Sequence, residues 1–262
     1  MFVFFLYQSF EFISAVVKMI TSRLLPNVAR FTIGTQASIA AGMATNTPRI
    51  KLYTNPISPP GRSVELTAKA IDLDIEVIAI DLLGNDTLKP DYLLKNPQHT
   101  IPMIDDEGKF IWDSQAINVY LTTVYGRNED LYPNDPFVRA KVNAGLHFNS
   151  GVLFSRLKLL ISPVIRGFKQ ILDPEKVEYF HIGLQLFEDT LHDDYYIGNR
   201  MTLADLSCVS SVSSFDAVLP ISREKFPKTV DWLRRMEQLP YYNEANGNGA
   251  RQLAKVVESF LK

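Results

Sequence analysis

Ser58 stands between Tyr53-Thr54-Asn55-Pro56-Ile57 and Pro59-Pro60-Gly61-Arg62-Ser63. A hydroxyl followed at once by two prolines fits the opening of a helix, where the missing amide hydrogens cost nothing. Such a hydroxyl lies near unpaired backbone N–H groups and the positive end of the helix dipole, a place that suits an anion. Read alone, Ser58 is first a helix cap. Two more segments carry groups of chemical use. Asn96-Pro97-Gln98-His99-Thr100-Ile101-Pro102 offers an imidazole, and Trp112-Asp113-Ser114-Gln115 offers a carboxylate and a hydroxyl.

The elements between these segments decide whether they can meet. Ile50 to Tyr53 reads as a strand, and Ser63 to Ile71 as a helix with Val64, Leu66, Ala68 and Ile71 apolar. Ile75 to Ile80 alternates like a strand. Leu88 to Lys95 is a short helical run that Asn96-Pro97 ends. Asp106-Glu107-Gly108-Lys109 is a hairpin turn between Met103-Ile104-Asp105 and Phe110-Ile111-Trp112. Ser114 to Tyr125 is helical again. This order gives a small mixed sheet covered by helices, whose loops after Tyr53, before Met103 and after Trp112 gather at one edge.

After Tyr132-Pro133-Asn134-Asp135-Pro136 the strand signals stop. Phe137 to about Ser162 is one long helical pattern, and Pro174 to His192 another with Val177, Phe180, Leu184, Phe187 and Leu191 on one stripe. Thr202 with Asp205 three residues on is a capping-box arrangement, and Met201 before it can act as a hydrophobic staple. Phe226 to Gln238 and Ala250 to Leu261 complete an all-helical second half. The expected division is an extension over 1–47, a mixed domain over 48–127 and a helical domain over 128–262, with the Pro-rich stretch at 133–136 at the boundary.

Composition narrows the classes. At 262 residues, 46% hydrophobic and 21% charged, the chain is long enough for one or two cored domains. A net charge of −2 gives no reason to expect a nucleic-acid partner. The single cysteine, Cys208, excludes an internal disulfide framework and reads as a small core residue. No Cys/His spacing suits zinc, so no metal is expected. Residues 1–20 are apolar but carry Glu11 and Lys18, which makes a poor signal peptide and a poor membrane span. Residues 19–44 hold Arg23 and Arg30 and no acid, weakly like a mitochondrial presequence. Met43 opens the compact domain a few residues before the first strand, so the extension reads as a disordered or mispredicted start, and the expected location is cytoplasmic, with mitochondria as the alternative.

Four stretches share a common wording. Ser58-Pro-Pro-Gly-Arg-Ser-Val-Glu-Leu-Thr-Ala-Lys-Ala70, Asn96-Pro-Gln-His-Thr-Ile-Pro102, Leu146-His-Phe-Asn-Ser-Gly-Val-Leu-Phe154 and Pro240-Tyr-Tyr-Asn-Glu-Ala-Asn-Gly247 together resemble the insect epsilon class of cytosolic glutathione transferases, with the delta class a near relative. The resemblance runs from about Ile50 to the C-terminus. It implies a thioredoxin-like α/β N-terminal domain, an all-α C-terminal domain, a homodimer, and glutathione as co-substrate. Ser58 would donate its hydroxyl hydrogen to the glutathione sulfur. A free thiol titrates near ~8.5 and only the thiolate is strongly nucleophilic, so a hydrogen bond to the charged form activates it.

The same resemblance implies the rest of the site. Pro102 would be cis, so that Ile101 exposes its backbone to pair with the cysteinyl unit, with Thr100 beside it. His99 would reach the glycine end. Ser114 and the amides after it would take the γ-glutamyl carboxylate, Asp113 its ammonium group, and Gln115 would stand where a basic residue is common. Thr87 occupies a position where the family often has a His for the glycyl carboxylate, with Lys89 or His99 to compensate. Lys158 falls where relatives often carry Arg. The electrophile pocket would take Ile57, Phe154, Leu157, Lys158, Ile161 and Phe215.

The implied activity is conjugation of the thiolate to apolar electrophiles in detoxification, with dehydrochlorination of chlorinated insecticides as a further expectation. The alternative is a non-catalytic carrier of hydrophobic ligands in the same cleft. A thiol-transferase needs a cysteine at or near position 58, and none is there. A structural module of a larger assembly is the remaining reading. The faces after Asp113 and after Phe137 are the candidate dimer surfaces, and no membrane partner is expected.

Overall fold

The computed structural model describes residues 49–82 and 84–262, so the expectations about 1–47 lie outside the described residues. Four strands form one sheet: β1 (Ile50–Thr54), β2 (Ile75–Ala79), β3 (Met103–Asp106) and β4 (Lys109–Trp112), in the order β2-β1-β3-β4. β1 pairs parallel with β2, and antiparallel with β3, which pairs antiparallel with β4. The parallel pair needs a crossover, supplied by α1 (Pro59–Ala70).

Period-two alternation splits the strand side chains between two faces. Ile50, Leu52 and Ile104 pack with Val64 of α1 and with Ile117 and Leu121 of the helix Ser114–Tyr125. Met103 and Ile80 face the other way onto Tyr92. Tyr92 belongs to the one-turn α2 (Pro90–Leu93), which follows a tight turn at Asp86–Leu88. The helical run expected over Leu88 to Lys95 is therefore shorter and broken, because Pro90 restarts the chain at Lys89. The helix Ser114–Tyr125 is α3.

At the end of β3, the fully buried Asp106 accepts hydrogen bonds from Tyr120 (2.5 Å), Tyr125 (2.7 Å) and Arg49 (3.0 Å). Burial alone would raise this carboxyl, but those three donors outweigh it and hold it below the ordinary carboxylate value.

The second half is helical throughout. α4 (Pro136–Phe148) runs through a π-helical stretch at Asn149–Phe154 into α5 (Ser155–Ile165). The single helical pattern over Phe137 to Ser162 thus appears with a wide turn in its middle, where Asn149 donates to Ser207 at 2.7 Å. By length and composition Pro136–Ile165 could cross a membrane, yet Val142, Leu146, Leu153, Leu157 and Leu160 are spent on the core.

α6 (Pro174–Thr190), α7 (Leu203–Val218), α8 (Pro227–Glu237) and α9 (Asn248–Phe260) complete the bundle. α7 is buried from Leu203 to Phe215 and carries serines where neighbouring helices come close. Its capping box is formed: Asp205 accepts from Thr202 N–H at 2.9 Å, and also from Tyr196 N–H at 2.8 Å and Trp232 Nε1 at 2.9 Å. Met201 packs against the same core. Cys208 is buried, and that burial pushes its thiol well up.

Candidate functional site

Ser58 is the N-cap of α1, with extended backbone and a side chain only 7% exposed. Its Oγ accepts from Gly61 N–H at 3.3 Å. Gly61 is required there, because a Cβ would collide with the Thr54 hydroxyl. Asn55 sets the approach: its Nδ2 donates to the Ile80 carbonyl (2.8 Å), its Oδ1 accepts from Ile57 N–H (3.1 Å), and its carbonyl accepts from Ser58 N–H (2.8 Å). Such local Asx bonding is what turns a strand end into a fixed loop.

The second loop is pinned as firmly. Asn96 is fully buried, donates to the Thr100 carbonyl at 2.9 Å and accepts from Gln98 N–H at 3.0 Å. Tyr92 donates to the same Thr100 carbonyl at 2.6 Å. His99 sits in the left-handed region at φ 46 with its N–H bonded to the Asn96 carbonyl. The Ile101–Pro102 bond is cis.

Ser58, His99, Thr100 and Ile101 line one cavity of about 410 Å³. α5 and the residues at its two ends supply another part of the lining: Phe154 just before it, Lys158, Ile161, Ser162 and Ile165 along it, and Arg166 just after it. Ile57 and Thr87 also line this cavity. Leu157 and Phe215 do not: Leu157 points into the bundle core, and Phe215 stacks on Phe180 at 3.9 Å between ring centres. Lys89 is held by Asp86 at 2.6 Å and does not line the cavity, whereas His99 and Thr87 both do.

The β3–β4 register pairs Met103 with Trp112, which carries Asp113 to the level of Pro102. Asp113 caps α3: one carboxylate oxygen accepts from Gln115 N–H (2.9 Å) and Ala116 N–H (3.2 Å), and the other has no partner among the described residues. Ser114 and Gln115 are buried. Gln115 turns its Oε1 to the helical half, where Ser207 donates to it at 2.8 Å. These three residues flank the cavity beyond the cis proline and do not line it.

Sequence reasoning missed Asn55, Tyr92 and Asn96, whose signal was their place in turns, and Ile165 and Arg166, which continue the α5 stripe. Leu253 of α9 also lines the cavity and had no signal. A separate crevice of about 600 Å³ runs past Ile71, Arg127, Leu131 and Arg200 and shares no lining residue with the first cavity. Among the described residues no group of three or more His, Cys, Asp or Glu is placed to hold a metal.

Residues 52–129 match the family description "Glutathione S-transferase, N-terminal domain", and residues 155–240 match "Glutathione S-transferase, C-terminal domain". "Glutathione S-transferase 1" of Manduca sexta is 38% identical over 212 residues, 80% of this chain and 98% of that protein. The chain belongs to the glutathione S-transferase family. Among solved structures of this family, glutathione transferase E6 from Drosophila melanogaster superposes with a TM-score of 0.78 at 40% identity, covering 80% of this chain and 97% of that one. An epsilon-class transferase from the housefly, Musca domestica, does so at 0.78 and 38% identity, again over 80% and 97%. The class expected from the four motifs is thus the class of a similar solved structure.

Arg62 ties the two halves of this transferase fold together. It is fully buried, and its guanidinium donates to the Asn246 carbonyl (3.0 Å), to Asn246 Oδ1 (2.6 Å) and to Ser214 of α7. Burial pushes it down to about 10, and the same burial pushes neighbouring Glu65 up to about 7. Gly249 at the start of α9 closes the joint, since a Cβ there would strike the Pro56 carbonyl just ahead of Ser58.

Proposed function

We propose that this chain is a serine-type glutathione transferase that ionises the thiol of glutathione at Ser58 and offers it to an apolar electrophile. The observation that carries this is the hydrogen-bonding state of Ser58. Its Oγ lone pair is engaged by Gly61 N–H, so the hydroxyl hydrogen is free to be donated into the cavity. Accepting one bond polarises the hydroxyl as a donor for the next. A thiolate there also gains from the α1 N-terminus. The serine forms no covalent bond with substrate; it lowers the cost of the charged nucleophile before attack.

On this reading His99, Thr100 and Ile101 hold the glycyl and cysteinyl parts. The unengaged oxygen of Asp113 and the Ser114 hydroxyl hold the γ-glutamyl end, while the next two amides of α3 stay on the Asp113 carboxylate and Gln115 fixes that turn from behind. Ile57, Phe154, Lys158 and Ile161 receive the electrophile. The same thiolate can act as a base, which extends the reading to removal of hydrogen halide from chlorinated insecticides. The enzyme would work in the cytoplasm as a homodimer through α3 and α4, where Val124 is 52% and Phe137 69% exposed.

The test is the ultraviolet absorbance of the thiolate against pH, for glutathione bound to the full chain and to Ser58→Ala. The expected result is a bound thiol that titrates well below the ~8.5 of a free one. In Ser58→Ala that depression is lost and kcat falls about 10- to 100-fold. Binding with no depression in the native chain would make it a carrier; an unchanged titration in the variant would remove Ser58 from the chemistry.

A further inference from the structure

We infer that the electrophile taken by this site bears an anionic group on an apolar body, and that Lys158 and Arg166 select it. The inference rests on the transferase reading above and names its second substrate class. Three observations carry it. First, none of the described residues lining the cavity is Asp or Glu, although Lys158, Arg166 and His99 all do. Second, the basic side chains next along the chain from the lining residues Lys158, Arg166 and Leu88 are engaged. Arg156 donates to the Tyr179 carbonyl at 2.8 Å and stacks over that ring at 4.0 Å, Lys169 pairs with Asp173 at 2.6 Å, and Lys89 pairs with Asp86 at 2.6 Å. Lys158 and Arg166 have no side-chain partner among the described residues. Third, Lys158 interrupts the apolar stripe Phe154, Ile161, Ile165, beside which α5 brings only one other polar lining residue, the uncharged Ser162.

Two like charges on one apolar wall repel each other, and an anion placed between them relieves that repulsion. They lie about two helical turns apart, and both side chains are long enough to converge on one acidic group. The macrodipole accounts for a cation at the end of α5, but not for one at its fourth residue, near the N-terminal end. The glycyl carboxylate of glutathione is the rival occupant. On the transferase reading it goes to Thr87 and His99, which line the same cavity from the loops and not from α5.

A matched pair of substrates tests this: ethacrynic acid, an aryl enone with an oxyacetate carboxylate, and its methyl ester. In both, the thiolate sulfur adds to the terminal alkene carbon. A C–S bond forms, the C=C π pair passes to the carbonyl as an enolate, and a proton from water completes the ketone; nothing is oxidised. The readout is the ratio of kcat/KM for acid over ester, which cancels any general loss of activity. With the full chain at low salt the ratio should favour the acid about tenfold, and it should shrink as sodium chloride is raised. In Lys158→Gln/Arg166→Gln it should fall to about one, and Lys158→Arg should keep most of it.

A native ratio at or below one overturns the inference, as does a ratio that the double variant leaves unchanged. A double variant that raises KM for glutathione with the ratio intact assigns both cations to glutathione instead. A chain that forms no bound thiolate and conjugates neither substrate would overturn the transferase reading, and this inference with it.

Discussion

On the loop side of the cavity, the side chains that shape the backbone are tied to it. Asn55 fixes the approach to Ser58, Asn96 and Tyr92 fix Thr100, and Asp113 caps the turn beyond the cis proline. On the α5 side the lining is Phe154, Ile161 and Ile165, with Lys158 and Arg166 free of such ties. The difference teaches a division of labour. A thiolate needs donors and dipoles held in place before it forms, because reorganising them at the moment of reaction costs rate. An electrophile needs only shape, polarity and a sign of charge, which unpinned side chains supply. On the proposed reading, one wall serves a fixed reaction and the other a choice of substrate.

Three substitutions break or sharpen this contrast, beyond those at Ser58 and on α5. The largest effect is expected at Arg62, which joins the walls. Arg62→Ala strands Asn246 and Ser214 without their buried donor and should cost about 3 kcal/mol of stability. Denaturant midpoints check this, and a loss under about 1 kcal/mol would mean that the joint is held by packing alone.

Next is Asn96→Ala, which should cost about 2 kcal/mol and raise KM for glutathione while leaving the acid-to-ester ratio in place. If that ratio moved instead, the two walls would not be separable in function. The smallest is Thr87→His. A second imidazole beside His99 should tighten glutathione binding about threefold, measured by calorimetry. Unchanged or weaker binding would show that the glycyl carboxylate does not reach the Asp86–Leu88 turn.

The sheet was readable because alternation marks its strands and because Asn-Pro, Asp-Ser and Glu-Gly steps punctuate them. The candidate site was readable for the same local reason: Ser58, His99 and Asp113 sit at element ends, where a polar residue must either cap or bind. Ile101–Pro102 came from the wording of a whole segment, not from periodicity. The α5 wall was read less well. Phe154, Leu157, Lys158 and Ile161 look alike as a helical stripe, yet Phe154, Lys158 and Ile161 face the cavity and Leu157 the core. One step around the helix separates these fates. Leu253 reaches the cavity from nearly a hundred residues further on, and no spacing announces that.

By itself the sequence determined the order of elements, the polar residues at the loop ends, the Thr202–Asp205 cap and an interior place for Cys208. All of these depend on neighbours a few residues away, through hydrogen bonds to local backbone and through the period of apolar positions. Only the tertiary structure decided which face of α5 opens on Ser58, that Arg62 would be buried between α7 and the Asn246 turn, and that Lys158 and Arg166 would share a cavity lined by no described acid. Those outcomes depend on which distant helix covers a given face, and an apolar or basic residue carries no record of its partner until the bundle closes around it.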